Sequence, residues 1–371
     1  MEVFYSRVLF LSNYAAPYEG NFIASLVALE SLLVKKYNSS VAYVFPESVK
    51  LQPWFRIFCI SHQTYTTRLD VSNSFAELMQ IKEVYKPTLI HTHFDGYDMI
   101  AKKVFEKEAV IVWHMHNHLS YVSNPLKAFY QVFCFWKHYG VMSRNINIIA
   151  VSDDMLRFAS RWKRRALCFS GLLKKVPNGI DLTRVANKRH QKTFDGIFRF
   201  LSFGGRNSDK RIDVLLRAAQ NLWRLRQDFQ IVVTKGVDTQ TIVQDCLGKQ
   251  VPEWLQLVDQ THDIASLFNM VDCFISSSCH ETFSYAICEA SIFGLPVIQS
   301  DIEGTMWNAH NPSTRIFKLN DIHDLCQQMS LLIDTNRDEL SKQVNRTIIN
   351  NTREYSLEQW ACNIVEFYKC I

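Results

Sequence analysis

Short apolar runs alternate with stretches of helical periodicity along most of this chain. Residues 7–11 form a first strand-like run, followed by a polar loop over residues 12–21. Phe22, Ile23, Leu26, Val27, Leu29 and Leu33 then recur at the spacing of an amphipathic helix. Further strand-like runs fall at 41–45, 89–92, 110–115 and 146–151, and Ser152-Asp153 caps the helix that follows the last of them. The second half repeats the alternation, with strand-like runs at 198–203, 229–234, 255–258, 273–276 and 296–298. Strands that alternate with helices predict parallel sheets and the α/β class. A polar, basic stretch at 183–197 separates the two series. It predicts one domain over 1–186, a second over 187–355, and a terminal helix from 356 to 371 with Leu357, Trp360, Ile364 and Phe367 on its apolar face.

The most informative alternation spans residues 274–304. A strand ends at Ser276. Ala286, Ile287, Ala290, Ile292 and Phe293 then mark a helix, Gly294 stops it, and Pro296-Val297-Ile298 begins the next strand. The turn at 280–284 therefore sits at the C-terminal edge of a parallel sheet, where doubly wound folds bind ligands. The helix start, with the amides of Phe283, Ser284 and Tyr285, suits an anion such as a diphosphate. Glu281 lies in the turn, and Glu289 follows after seven residues, about a turn and a half inside the helix.

Composition narrows the class. With 371 residues, 47% hydrophobic and 21% charged, the chain is globular and long enough for two domains. Ten cysteines show neither a CxxC pair nor metal-ligand spacing, as suits reduced thiols in a cytosol. The first residues read as a strand rather than a signal peptide, and no apolar run reaches spanning length. Charge is uneven. Residues 1–186 hold 22 Lys and Arg against 14 Asp and Glu, whereas residues 187–371 hold 19 against 22. The +8 first half points to an anionic surface. A membrane fits that, and no nucleic-acid recognition motif is present.

Three local features carry candidate chemistry. The loop after residue 203 reads Gly204-Gly205-Arg206-Asn207-Ser208-Asp209-Lys210-Arg211 and precedes a helix from Ile212, placing Arg206 and Lys210 at a sheet edge. His114, His116 and His118 alternate after residue 113, which on an extended strand puts them on one face, an arrangement that zinc could use. Residues 123–144 are the most aromatic stretch. Asn124 and Pro125 open a helix there, and Leu126, Phe129, Tyr130, Phe133 and Trp136 follow helical spacing. That face is either core or a surface for lipid. Arg161, Lys163, Arg164 and Arg165 add a basic cluster. No GxGxxG occurs, which argues against a dinucleotide cofactor.

Glu281 and Glu289, in their strand–turn–helix–Gly-x-Pro–strand setting, resemble the hallmark of the family-4 retaining glycosyltransferases of bacterial type. The resemblance implies the GT-B fold: two doubly wound Rossmann-like domains facing across a cleft, with the terminal helix crossing back to the first domain. It implies that Glu281 touches the donor sugar, that Glu289 binds the ribose hydroxyls, and that Arg206 and Lys210 hold the donor diphosphate without metal. Gly20 would lie near the donor phosphates. His116, or else His114, would lie beside the donor sugar. Val176-Pro177-Asn178-Gly179-Ile180-Asp181 matches a family segment just before the interdomain linker. The implied reaction moves a hexose or N-acetylhexosamine from a nucleotide sugar, with UDP the first choice of carrier. The acceptor would be a glycan or a lipid-linked glycan in cell-surface polysaccharide synthesis. No cofactor is implied beyond the donor. The implied location is the cytoplasm, with the inner membrane face as a peripheral site. The alternative is a non-catalytic GT-B subunit that binds a glycan or a partner transferase.

Overall fold

The structure, a computed structural model, describes residues 4–69, 71–116, 125–164, 171–190 and 194–371. Asn117, His118, Ser123, Asn124 and Arg165 lie outside these ranges, so the expectations for them stand untested. The chain divides into two compact units. One comprises Met1–Gly179 with Leu357–Ile371, and the other Ile180–Ser356.

In the first unit, β1 (Arg7–Ser12), β2 (Ser40–Pro46), β3 (Thr64–Thr67), β4 (Leu89–His93), β5 (Val110–Met115), β6 (Asn147–Ala150) and β7 (Leu173–Lys175) form one parallel sheet. Its order is β3-β2-β1-β4-β5-β6-β7. The central strands are buried on both faces, so they read as continuous apolar runs. The helix Leu357–Tyr368 packs on the helix Gly20–Tyr37. It delivers Trp360, Ile364, Phe367 and Tyr368 to the core beneath β1, β2 and β4.

In the second unit, β8 (Phe198–Ser202), β9 (Phe229–Thr234), β10 (Leu255–Val258), β11 (Cys273–Ser276), β12 (Val297–Ser300) and β13 (Thr314–Phe317) form a parallel sheet in the order β10-β9-β8-β11-β12-β13. The helix Ile212–Trp223 covers one face with Leu215, Leu216, Ala219 and Leu222, and the helix Tyr285–Phe293 covers the other with Ile287, Ala290 and Phe293.

The unit boundary falls at Gly179, seven residues before the expected one. Residues 180–186 belong to the second unit because Ile180 and Val185 are buried in its core beside Ile287 and Tyr355. The Ile180 amide also donates to the Tyr355 carbonyl at 2.7 Å. The polarity of 183–197 obscured this packing. No helix among the described residues is long and apolar enough to cross a membrane.

Candidate active site

The strand order of the second sheet reverses between β8 and β11. Loops leaving two such strands part to opposite sides and open a crevice at their C-terminal ends. The loop after β8 holds Gly204, Gly205 and Arg206, then a single helical turn, Asn207–Lys210. Glycine is required here by close approach. A Cβ on Gly204 would stand 2.0 Å from the Thr234 carbonyl oxygen, and one on Gly236 would stand 2.4 Å from the Gly205 nitrogen. The loops after β8 and β9 therefore touch backbone to backbone. Arg206 is exposed, and among the described residues no carboxylate pairs with it.

The loop after β11 is stitched to that turn. Ser277 Oγ donates to the Lys210 carbonyl at 2.8 Å, and the Cys279 amide donates to the Asp209 carbonyl at 2.8 Å. Lys210 Nζ then donates to Glu281 Oε1 at 2.7 Å, and Ser278 Oγ donates to the same oxygen at 3.0 Å. Ser300 Oγ, at the end of β12, donates to the Ser278 carbonyl at 2.5 Å. Gly304 completes the enclosure, since a Cβ there would lie 1.8 Å from the Glu281 carbonyl oxygen. Four loop segments thus fix one carboxylate and one ammonium, with side chains 14% and 34% exposed.

The next helix begins at Tyr285, preceded by Ser284 in the left-handed region at φ 59°. The first-turn amides that lack a partner within the helix are therefore those of Tyr285, Ala286 and Ile287. Phe283 takes another place than expected. Its side chain is buried and stacks on Trp307, and its carbonyl accepts from Trp307 Nε1 at 2.6 Å. Glu289 lies on the buried side of this helix, and Arg184 Nε donates to its Oε1 at 2.9 Å. At the end of β12, Asp301 Oδ1 accepts the Leu319 amide at 2.7 Å.

In the first unit the order reverses between β1 and β4. Gly20 opens the helix Gly20–Tyr37 at φ +57°, a conformation that favours glycine. His91 and His93 on β4 and His114 on β5 share one face, and His116 follows just beyond β5. All four are buried. Nδ1 of His91 lies 2.6 Å from the Tyr368 hydroxyl, and its Nε2 lies 3.2 Å from Nδ1 of His114. Nδ1 of His93 lies 2.9 Å from Nε2 of His116, which also meets the Asn178 side chain. Burial pushes the basicity of all four down, that of His116 to about 3, so they are neutral near pH 7.

Nitrogens of His91, His93 and His114 come within 4.8 Å of one another. Their rings nevertheless stack, with His91 and His93 at 25° and His91 and His114 at 10°. Among the described residues no carboxylate joins the cluster to offset a buried dication. The set reads as a hydrogen-bonded imidazole stack. It places His114 in the interior and His116 at the strand end, against the rings of Phe22 and Phe94.

Residues 198–335 match the family of glycosyl transferases, group 1. The second unit carries a group 1 glycosyltransferase domain. Across the whole chain the fold is GT-B. Anabaena HepE, solved with UDP, superposes with a TM-score of 0.76 at 14% identity, covering 98% of this chain and 100% of that one. A glycosyltransferase from Rickettsia africae gives 0.74 at 15% identity over 98% and 97%. Sucrose-phosphate synthase from Thermosynechococcus elongatus gives 0.75 at 14% identity over 98% of each. No curated protein matches the chain by sequence.

Within the second unit, sequence reasoning placed Lys210, Glu281 and Glu289 but missed Arg184 and Ser278. The Ser276-Ser277-Ser278 run at a strand end was a usable signal for Ser278, since small hydroxyls there commonly bind neighbouring loops. Arg184 had none, being 105 residues from its partner.

Proposed function

We propose that the protein is a retaining glycosyltransferase that moves a hexose or N-acetylhexosamine from a UDP-sugar to a glycan or lipid-linked acceptor. The observation that carries this reading is the contact between Lys210 and Glu281. It joins a cation and a carboxylate at the sheet's switch point, inside a domain of the matching family. HepE has also been solved with UDP-glucose, which favours UDP as the carrier.

In this reading Arg206 and Lys210 take the donor diphosphate, aided by the first-turn amides of Tyr285 to Ile287. Fixed cations of this kind stabilise the charge that grows on the leaving phosphate. Glu281 faces the sugar, where positive charge develops as the bond from C1 to the phosphate oxygen breaks. The acceptor oxygen bonds C1 on the same face, and its proton passes to the departing phosphate. Glu289 holds the ribose, and His116 lies beside the sugar as a neutral group. Two cations at the diphosphate make a metal unnecessary for turnover. The first unit, residues 1–179 with 357–371, carries the acceptor, and the excess of positive charge over residues 1–186 favours an anionic membrane face.

The test is turnover of a panel of nucleotide sugars in EDTA, with the product anomer read by NMR. The expected result is sugar release or transfer from a UDP-sugar with the donor's anomeric configuration kept. Complete loss in EDTA, restored by Mg²⁺ or Mn²⁺, overturns metal independence. An inverted product overturns retention. Absence of turnover with every donor favours the non-catalytic subunit.

A further inference from the structure

Arg184 sits where the chain enters the second unit, in the short turn Leu182–Arg184. That turn is held on three sides. Asp181 caps it by accepting the Thr183 amide at 3.0 Å and the Thr183 hydroxyl at 2.6 Å. Ile180 and Val185, on either flank, are fully buried beside Ile287, Cys288 and Tyr355. The backbone of Ile180 is tied to Tyr355 and bridges to Ser356. Arg184 therefore leaves a rigid base.

From that base its Nε reaches Glu289 Oε1 at 2.9 Å. Glu289 has only 6% of its side chain exposed and projects from the middle of the helix Tyr285–Phe293, while Arg184 is 29% exposed. The helix positions the Glu289 backbone, but a glutamate has three side-chain torsions. A guanidinium N–H in a charge-assisted hydrogen bond fixes the carboxylate plane as well. The second oxygen of Glu289 then has a defined direction.

The geometry points to Arg184 as a positioning residue that aims the Glu289 carboxylate at the ribose of a nucleoside diphosphate. The inference rests on the donor-binding reading given above and deepens it, for Arg184 itself need not touch the nucleotide. An aimed acceptor matters because a ribose hydroxyl bonds well only within a narrow range of angles. It also places no demand on the reacting centre, so the ground and transition states gain alike. The competing account is that the ion pair only braces the helix against the entry segment.

The experiment measures UDP binding by calorimetry, donor KM and kcat, and melting temperature, for wild type, Arg184→Gln, Arg184→Lys, Glu289→Ala and the Arg184→Gln/Glu289→Ala double variant. Arg184→Gln is expected to weaken UDP binding and raise donor KM about tenfold, with kcat within about threefold of wild type. Arg184→Lys, which keeps the charge, is expected to recover part of that loss. In the Glu289→Ala background the arginine change is expected to add little, as for residues acting through one contact. Unchanged UDP affinity in both arginine variants, with only the melting temperature lowered, overturns the proposal in favour of the brace. So do additive effects in the double variant, which mean that Arg184 acts without Glu289. A folded wild type that binds no UDP, or any other nucleoside diphosphate, overturns the donor-binding reading itself and this inference with it.

Discussion

Glu281 and Glu289 lie on one short strand–turn–helix segment yet sit in different surroundings, and those surroundings imply different kinetic signatures. Glu281 is in the turn, held by Lys210 and Ser278. A carboxylate beside developing positive charge stabilises the transition state more than the substrate. Glu281→Gln keeps the shape and removes the charge, so kcat is expected to fall by on the order of 10²-fold or more. Glu289 is inside the helix, and the ribose contact proposed for it would be shared by ground and transition states. Glu289→Ala should raise donor KM more than it lowers kcat, by a loss of roughly 1–3 kcal/mol. Steady-state kinetics on both variants, with circular dichroism to check folding, decides the matter. Near wild-type kcat in Glu281→Gln removes Glu281 from the chemistry. At this scale the sequence was informative wherever a residue's place follows from its own element. The sequence placed Glu281 in its turn, Glu289 in its helix, and Arg206 and Lys210 after β8, each from the strand or helix beside it. Arg184 and Asn178 were not, because their partners are set by packing between distant segments.

At the scale of elements, interior strands were legible, and among the described edge strands only Leu255–Val258 was. The apolar runs that became β1, β4, β5, β8, β9 and β11 stood out because both faces are buried. Thr64–Thr67, Leu173–Lys175 and Thr314–Phe317 did not, because these outer strands are short and largely polar or half-buried. The aromatic stretch shows the opposite ambiguity, where periodicity could not separate core from surface. The helix Pro125–Phe135 leaves Phe129 78% exposed, Tyr130 69% and Phe133 50%, with Trp136 just beyond it at 43%. Those rings form a surface, which removes the core reading for them. In the same unit Arg157, Arg161 and Arg164 line another surface depression. Exposed rings together with basic residues suit an anionic bilayer. The expected outcome is binding to phosphatidylserine-containing vesicles that weakens as salt rises, the screening length being ~8 Å at physiological ionic strength. Equal binding to neutral vesicles, or binding to neither, overturns the membrane reading.

At the scale of the molecule, the imidazole stack sets a limit on acid stability. His91, His93, His114 and His116 are held neutral by burial, below the value of about 6.5 of an unfolded histidine. Below that pH the unfolded chain takes up protons that the folded chain refuses, so stability present at neutral pH is lost as pH falls. Each group forfeits about 1.4 kcal/mol per pH unit once the unfolded form titrates. Amide exchange in β4 and β5 should therefore speed up steeply between pH 7 and 5.5, ahead of exchange in the glycosyltransferase domain. Equal, shallow pH dependence in both units overturns the neutral assignment.

The Tyr368 hydroxyl that meets His91 comes from the last helix, 277 residues further along the chain. The first unit is thus finished by the segment that a ribosome makes last of the residues described. While residues 180–356 are being made, the sheet of the first unit has no cover where Trp360, Ile364 and Phe367 will lie. The second unit is contiguous and can close as soon as it emerges. Birth order and completion order are therefore reversed: the unit begun first is completed second. A nascent chain carries an open apolar floor, with His91 lacking its tyrosine partner, for the time needed to add about 180 residues at 5–20 per second, roughly 10–35 s. During that window a chaperone has its longest access to it.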